Sequence, residues 1–251
     1  MTKTIAVAGK GGTGKTTIAA LLIHILSRRG TVLAVDADPS CNLHMALGME
    51  LDDTVGDVRE EFARAIKERR LEAGVPKQDY LELKVRQAVV ESAQIDLLVM
   101  GRPEGPGCYC AANNALRRYV DDIARGYAYV VMDCEAGLEH ISRRTTRDID
   151  VLLLVSDPSM RGLVTAVRAR DLMQELRTSA GKAGLVFNRS RGGVPETIAS
   201  AARESGLETL AVIPEDPAVL AMDAEGLPVT RLSPDSPFVR AVEGLVASLH
   251  L

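Results

Sequence analysis

Gly9-Lys10-Gly11-Gly12-Thr13-Gly14-Lys15-Thr16-Thr17 is the stretch on which the fold turns. It satisfies the phosphate-loop pattern G-x-x-x-x-G-K-[ST], with Gly9, Gly14, Lys15 and Thr16 in the fixed places. An apolar run, Ile5 to Ala8, precedes it, and a strong helix-forming stretch, Ile18 to Arg29, follows. That is the strand–loop–helix setting the pattern requires. Glycines let successive backbone N–H groups turn inward around phosphate oxygens, and the helix N-terminus adds the positive end of its dipole. Gly11, Gly12, Thr13, Gly14, Lys15, Thr16 and Thr17 form the expected phosphate cradle. Lys15 would reach the β- and γ-phosphates and Thr16 would hold Mg²⁺.

Outward from the loop, apolar runs recur at Thr4–Ala8, Thr31–Asp36, Ile95–Met100, Tyr129–Asp133, Val151–Ser156, Ala183–Asn188 and Thr209–Ile213. They are continuous rather than alternating, as in strands buried on both faces, and helical patterns lie between most of them. Strand and helix in alternation predict an α/β fold, a doubly wound, mainly parallel sheet of about seven or eight strands with helices on both faces. Neither a repeat nor a linker interrupts the chain, so residues 1–251 read as one domain. The helix after the loop is apolar at Ile18, Leu21, Leu22, Ile25 and Leu26 and ends at Arg28-Arg29-Gly30. Asp53 to Glu72 is charge-rich and reads as a solvated helix stopped by Gly74-Val75-Pro76, and 74–94 carries no clear pattern. Asp235 to Leu251 opens with Ser236-Pro237 and puts Phe238, Val242, Leu245, Val246 and Leu249 on one face. A membrane-surface helix is basic on its polar side. Here Arg240 is the single Lys or Arg, so this helix is expected to pack on its own sheet.

Composition narrows the function. With 46% hydrophobic and 25% charged residues, the 251-residue chain is ordinary for a globular protein, and a net charge of −4 leaves no basic footprint for nucleic acid. No apolar run reaches membrane-spanning length, and the N-terminus has no signal-peptide layout, so a cytoplasmic protein is expected. In that compartment the four cysteines are thiols or metal ligands rather than disulfides.

Two further strand ends carry carboxylates, Asp36-Ala37-Asp38-Pro39 after the second run and Val130-Val131-Met132-Asp133 at the fourth. Apolar residues ending in aspartate suit a strand whose Asp133 holds Mg²⁺, through water, beside a phosphate loop. Gly107-Cys108-Tyr109-Cys110 places two thiols where they can share one metal ion. Two thiolates leave a tetrahedral ion half-coordinated, and a two-fold dimer supplies a second pair. Soft sulfur suits Ni²⁺ or Zn²⁺ better than Mg²⁺. Cys41 and Cys134 read as buried residues and His24 as a structural residue of its helix, while His44 and His250 show no partner. His140 follows the fourth strand.

Lys10, just after the first glycine, makes the loop resemble the deviant Walker A motif shared by MinD, ParA, the nitrogenase iron protein and arsenite-pump ATPases. That resemblance implies a nucleotide-sandwich homodimer in which Lys10 touches the partner's nucleotide. It implies that Asp38 positions the attacking water, with Lys10, Lys15, Asp38 and Asp133 as the catalytic set. It also implies that Asn188, with Arg189, reads the adenine of ATP or ADP, and that the loop with Pro214 and Glu215 closes over it. Adding Gly-Cys-Tyr-Cys-Ala-Ala-Asn-Asn-Ala-Leu-Arg (107–117) and Asp-Cys-Glu-Ala-Gly-Leu-Glu-His (133–140), nearly the whole chain resembles the CooC-type ATPases that mature nickel carbon monoxide dehydrogenase, whose relatives serve acetyl-CoA synthase. The implied activity is MgATP hydrolysis coupled to nickel or zinc at a dimer-bridging Cys108/Cys110 site. Cys134 departs from that pattern, where a hydrophobic residue such as Met is expected. Two alternatives share the loop: an iron-protein-like reductase with a dimer-bridging iron–sulfur cluster, and a positioning ATPase of the ParA or MinD kind.

Overall fold

The computed structural model describes residues 1–68, 70, 76–101, 121–134, 148–175 and 179–251. Seven strands form one sheet: β1 (Lys3–Gly9), β2 (Val32–Ala37), β3 (Ile95–Val99), β4 (Tyr129–Cys134), β5 (Asp148–Ser156), β6 (Ser179–Ser190) and β7 (Glu208–Pro214). Their spatial order is β3-β2-β4-β1-β5-β6-β7, and every neighbouring pair is parallel. The seven apolar runs of the sequence are these seven strands.

The continuous apolar character has a direct cause, since both faces of the sheet are covered. On β1, Ile5 and Val7 join the core on one side while Ala6 and Ala8 join the core on the other. The first side is packed by α1 (Lys15–Ser27), the short α2 (Leu43–Leu47) and α8 (Pro237–Ser248). The second is packed by α3 (Val55–Lys67), α4 (Lys77–Gln87), α5 (Met160–Glu175) and α6 (Glu196–Glu204). The remaining helix, α7 (Pro217–Glu225), follows β7 and buries none of its residues completely.

The C-terminal helix buries Phe238, Val242, Leu245 and Val246 against α1 and β7, so its apolar stripe is spent on the protein's own core. The charge-rich segment needs a correction. It forms α3, but Val55, Val58, Phe62 and Ala65 are buried, so the helix is amphipathic rather than solvated all round. Its start is fixed by a reciprocal capping box in which Thr54 accepts from the Asp57 N–H and Asp57 accepts from the Thr54 N–H. The unreadable stretch yields α4, which buries Leu81 and Val85.

Topology sets the location of the site. The chain leaves β1, builds β2 and β3 outward, returns to place β4 between β2 and β1, then crosses to β5 on the far side of β1. The strand order therefore reverses at β1, and in open parallel sheets ligands bind off the carboxyl ends at such a point. All seven carboxyl ends face one edge, and among the described residues the loops after β1, β2, β5, β6 and β7 start there.

Candidate nucleotide site

The phosphate loop needs its glycines for two separate reasons. A Cβ on Gly9 would lie 2.0 Å from the Val155 carbonyl oxygen, so only glycine lets β1 end this close to β5. Gly14 has φ +87°, and a Cβ there would lie 2.4 Å from Asn188 Nδ2. The loop is closed from within by the Thr13 hydroxyl, which donates to the Lys10 carbonyl at 2.8 Å, and from outside by Asn188 Nδ2, which donates to the Thr13 carbonyl at 2.8 Å. Gly14 begins α1 without any side-chain cap and no acidic residue occupies the first turn, so the first N–H groups of α1 are left to an anion.

Lys15 is only 6% exposed, yet among the described residues no carboxylate lies within salt-bridge distance of it. A sheltered ammonium that makes no described ion pair, with the nearby Asp133 charge acting on it, suits an anionic ligand. Thr16 donates its hydroxyl to Asp133 Oδ2 at 2.5 Å, joining the loop after β1 to the end of β4. The second oxygen of Asp133, Oδ1, is buried and has no hydrogen-bond partner among the described residues. Burial pushes the Asp133 carboxyl up to about 7; the Thr16 hydrogen bond opposes this, and the neighbouring Asp36 charge adds to it. A hydroxyl of the phosphate loop and the carboxylate bonded to it are the hard oxygen donors that Mg²⁺ takes.

Asp36 and Asp133 are register partners on adjacent strands, and both are fully buried. Burial likewise raises Asp36 to about 6, against two backbone hydrogen bonds that lower it. Asp38 lies two residues on, half-buried, with its N–H donating to Asp36 Oδ1 at 3.1 Å and its Oδ1 accepting from the Ser40 N–H at 2.9 Å. Lys10 is exposed on the outer surface of the loop.

The loops after β6 and β7 form one wall of a cleft beside α1. Gly14, Thr17, Asn188, Arg189, Pro214 and Glu215 line it, as do Asp216, Val219, Asp223 and Phe238. Asn188 Oδ1 is buried without a hydrogen-bond partner among the described residues, an acceptor suited to an exocyclic amino group. Arg189 holds the left-handed conformation at φ +55°. Arg191 pairs with Glu215 across the two loops and holds the Glu215 carboxyl below its ordinary range. Asp216 caps α7 through the Ala218 N–H at 2.9 Å and accepts the Ser236 hydroxyl at 2.6 Å. A second, larger cleft shares Thr17, Val219 and Asp223 with the first and is walled on its far side by Asn42, Met45 and Ala46 of α2 and its cap.

Structure therefore brings together Gly11 to Thr17, Asp38, Asp133, Asn188, Arg189, Pro214 and Glu215 at one edge of the sheet. Cys108, Cys110, Glu135, Gly137 and His140 lie outside the described residues, and among the described residues no cluster of three His, Cys, Asp or Glu side chains could hold a metal. Cys134 is fully buried at the end of β4, but Cys41 is only half-buried and sits at φ +52°, a correction to its expected burial. His44 does have a partner, its Nδ1 lying 2.7 Å from the Cys41 carbonyl. The sequence marks Asp36 as a strand-end carboxylate but assigns no role to it, nor to Asp216 or Asp223. The Asp-x-Asp-Pro spacing at the end of β2 and the Asp-Pro helix start at 216–217 were the available signals.

Residues 4–229 match the model of the CobQ/CobB/MinD/ParA nucleotide binding domain. The chain belongs to this family. A relative described as an uncharacterised ATP-binding protein of Methanocaldococcus jannaschii is 43% identical over 246 residues, 98% of this chain and 97% of its own. The carbon monoxide dehydrogenase accessory protein CooC of Rhodospirillum rubrum is 32% identical over 92% of this chain and 90% of its own. The septum site-determining protein MinD of Pyrococcus horikoshii, solved with Mg-ADP, superposes with a TM-score of 0.67 at 24% identity, over 98% of this chain and 94% of that one. The chain is thus a P-loop nucleotide-binding protein of the MinD/ParA family.

Proposed function

We propose that this MinD/ParA family member is a cytoplasmic MgATP-hydrolysing homodimer, one ATPase domain over residues 1–251, that handles nickel for a carbon monoxide dehydrogenase or acetyl-CoA synthase. The observation that carries the ATPase part is the Thr16–Asp133 bond beside the buried Lys15, with Asp133 Oδ1 left unpaired. Thr16 and Asp133 would hold Mg²⁺, Asp133 by way of a water. When bound, the ion offsets negative charge on the β- and γ-phosphates. Lys15 and the N–H groups from Gly11 to Thr17 bind the phosphate oxygens and fix the γ-phosphorus. Asn188 Oδ1 accepts from the adenine amino group, while Arg189, Pro214 and Glu215 wall the base. Asp38 orients a water so that its oxygen bonds to the γ-phosphorus as the bond to the β–γ bridging oxygen breaks, giving ADP and phosphate. Lys10, exposed on the loop, reaches the nucleotide of a second copy.

Nickel, or zinc in its place, is cargo on this reading. Cys108 and Cys110 from two chains supply four thiolates, and the γ-phosphate biases the dimer between two geometries of that site. The CooC relative, matched over nine-tenths of both chains, supports the client class. Neither nucleic acid nor a membrane is a partner. The net charge of −4 and the buried apolar face of α8 support this, and no described helix is long and apolar enough to cross a bilayer.

The test is a titration of Ni²⁺ into reduced, anaerobic apoprotein with ADP, with ATP and without nucleotide, beside the Cys108→Ala/Cys110→Ala variant. Bound metal and molecular mass are followed together. One nickel per two chains, lost in the variant and shifted by nucleotide, is expected. Equal binding in the variant, or none in either protein, would remove the nickel role. A visible chromophore in anaerobically purified protein would favour an iron–sulfur reductase, and DNA- or lipid-stimulated turnover a positioning ATPase.

A further inference from the structure

Asp36 is fully buried at the end of β2, in register with a second buried carboxylate, Asp133. Placing two like charges side by side away from water is costly, so a gain must offset it. Both Asp36 oxygens are committed to one loop. Oδ1 accepts from the Asp38 N–H at 3.1 Å, and Oδ2 accepts from the Leu43 N–H at 2.9 Å. Leu43 opens α2 and is itself fully buried, and the residue before it, Asn42, makes no side-chain cap. Asp36 thus caps α2 from a neighbouring strand while gripping the other end of the loop at Asp38. An asparagine could not do both, because one of its two terminal groups is a donor.

Inside that ring the loop is tied to itself. The Cys41 N–H donates to the Asp38 carbonyl at 3.0 Å, and the Ser40 N–H donates to the Asp38 carboxylate at 2.9 Å. Cys41 is forced to φ +52°, a conformation costly for a side chain with a Cβ. Such strain persists only where surrounding bonds over-determine it, and Asp36 makes the bonds at both ends. On its outer side α2 walls the larger cleft with Met45 and Ala46, opposite Thr16 and Thr17 of the phosphate loop.

We propose that Asp36 is a positioning residue for hydrolysis. Its carboxylate makes Asp38 and α2 move as one body, and so holds Asp38 at the angle from which it orients water toward the γ-phosphate. The assignment rests on the ATPase reading of Asp38 given above, and goes beyond it in naming what fixes Asp38.

The experiment measures MgATP turnover and affinity for a non-hydrolysable ATP analogue in wild type, Asp36→Asn, Asp38→Asn and the double variant. Asp36→Asn should lower kcat on the order of 100-fold, the cost of misplacing a reacting group by about 1 Å. Its nucleotide affinity should stay within about threefold of wild type, since no phosphate contact is lost. Because Asp36 acts through Asp38, the double variant should be no slower than Asp38→Asn alone. Amide exchange at Asp38 and Leu43 should quicken in Asp36→Asn. Asp36→Glu retains the charge and both acceptors but displaces them by a methylene, and carries the same kcat expectation if the asparagine variant does not fold. Wild-type kcat in Asp36→Asn, or losses that multiply in the double variant, would overturn the positioning role while leaving the ATPase reading standing. A wild type without turnover, or Asp38→Asn at the wild-type rate, would overturn both.

Discussion

At the scale of single residues, the site is built from atoms whose partners are missing. Among the described residues, Asp133 Oδ1 and Asn188 Oδ1 are buried without a hydrogen-bond partner, and the sheltered Lys15 ammonium has no carboxylate within salt-bridge distance. Asp133 has a raised pKa, so the sign of its contribution to stability is adverse. Below about pH 4 the group is protonated both folded and unfolded and costs nothing. As pH rises toward 7 the unfolded chain ionises first, and stability is lost until the folded group also ionises at about 7. In EDTA, Asp133→Asn should therefore unfold at a higher temperature than wild type at pH 8, by on the order of 2 kcal/mol or several degrees, with the gap closing by pH 4. Thermal melts across that range check it, and a gap independent of pH would refute it. Gly14→Ala makes the opposite case. It puts a methyl at φ +87° and 2.4 Å from Asn188 Nδ2, so ADP affinity measured by calorimetry should fall at least about tenfold, equivalent to the 1–2 kcal/mol that a left-handed residue costs. The loop residues could be read from the sequence because their spacing is dictated by phosphate geometry. Asp36 could not, since nothing in Asp36-Ala37-Asp38 shows that the strand ends at Ala37, which leaves Asp36 buried in the sheet and Asp38 in the loop.

Among elements, one hydrogen bond ties two helix starts together. Ser236 caps α8 through the Val239 N–H at 3.3 Å and donates to Asp216, which in turn caps α7. Ser236→Ala removes a cap and leaves a buried carboxylate oxygen short of a donor, so it should cost about 1–2 kcal/mol, roughly 2–8 °C in melting temperature. Asp216 and Phe238 both line the base cleft, so the same variant should also weaken ADP binding. Unchanged melting with unchanged affinity would show the two helices docking independently of this bond. The strands were legible because a sheet covered on both faces leaves no polar alternation to confuse the pattern. The helices over 53–94 were less so. In α3 the buried set Val55, Val58, Phe62 and Ala65 is spaced by charges that dominate the composition, and in α4 only Leu81 and Val85 are fully buried.

For the whole molecule, the proposed dimer makes Lys10 and Lys15 separable. Lys15 is buried within its own loop, whereas Lys10 is exposed. Lys15→Ala should abolish nucleotide binding. Lys10→Ala should still bind ATP but neither hydrolyse it nor double in mass with a non-hydrolysable analogue, as light scattering would report. A Lys10→Ala protein that dimerises and turns over normally would leave that lysine as loop surface. The strand order carries another consequence. β1 lies at the middle of the sheet between β4 and β5, and its Gly9 is shaped to fit against Val155. Neither neighbour exists when residues 3–9 leave the ribosome. At about 5–20 residues per second, the phosphate loop's own strand waits roughly 7–30 s for its partners to be made. During synthesis this apolar segment emerges well before either strand that shelters it. A nascent chain stalled before β5 should expose that segment to protease and fail to retain nucleotide, and one stalled after β7 has emerged should do neither.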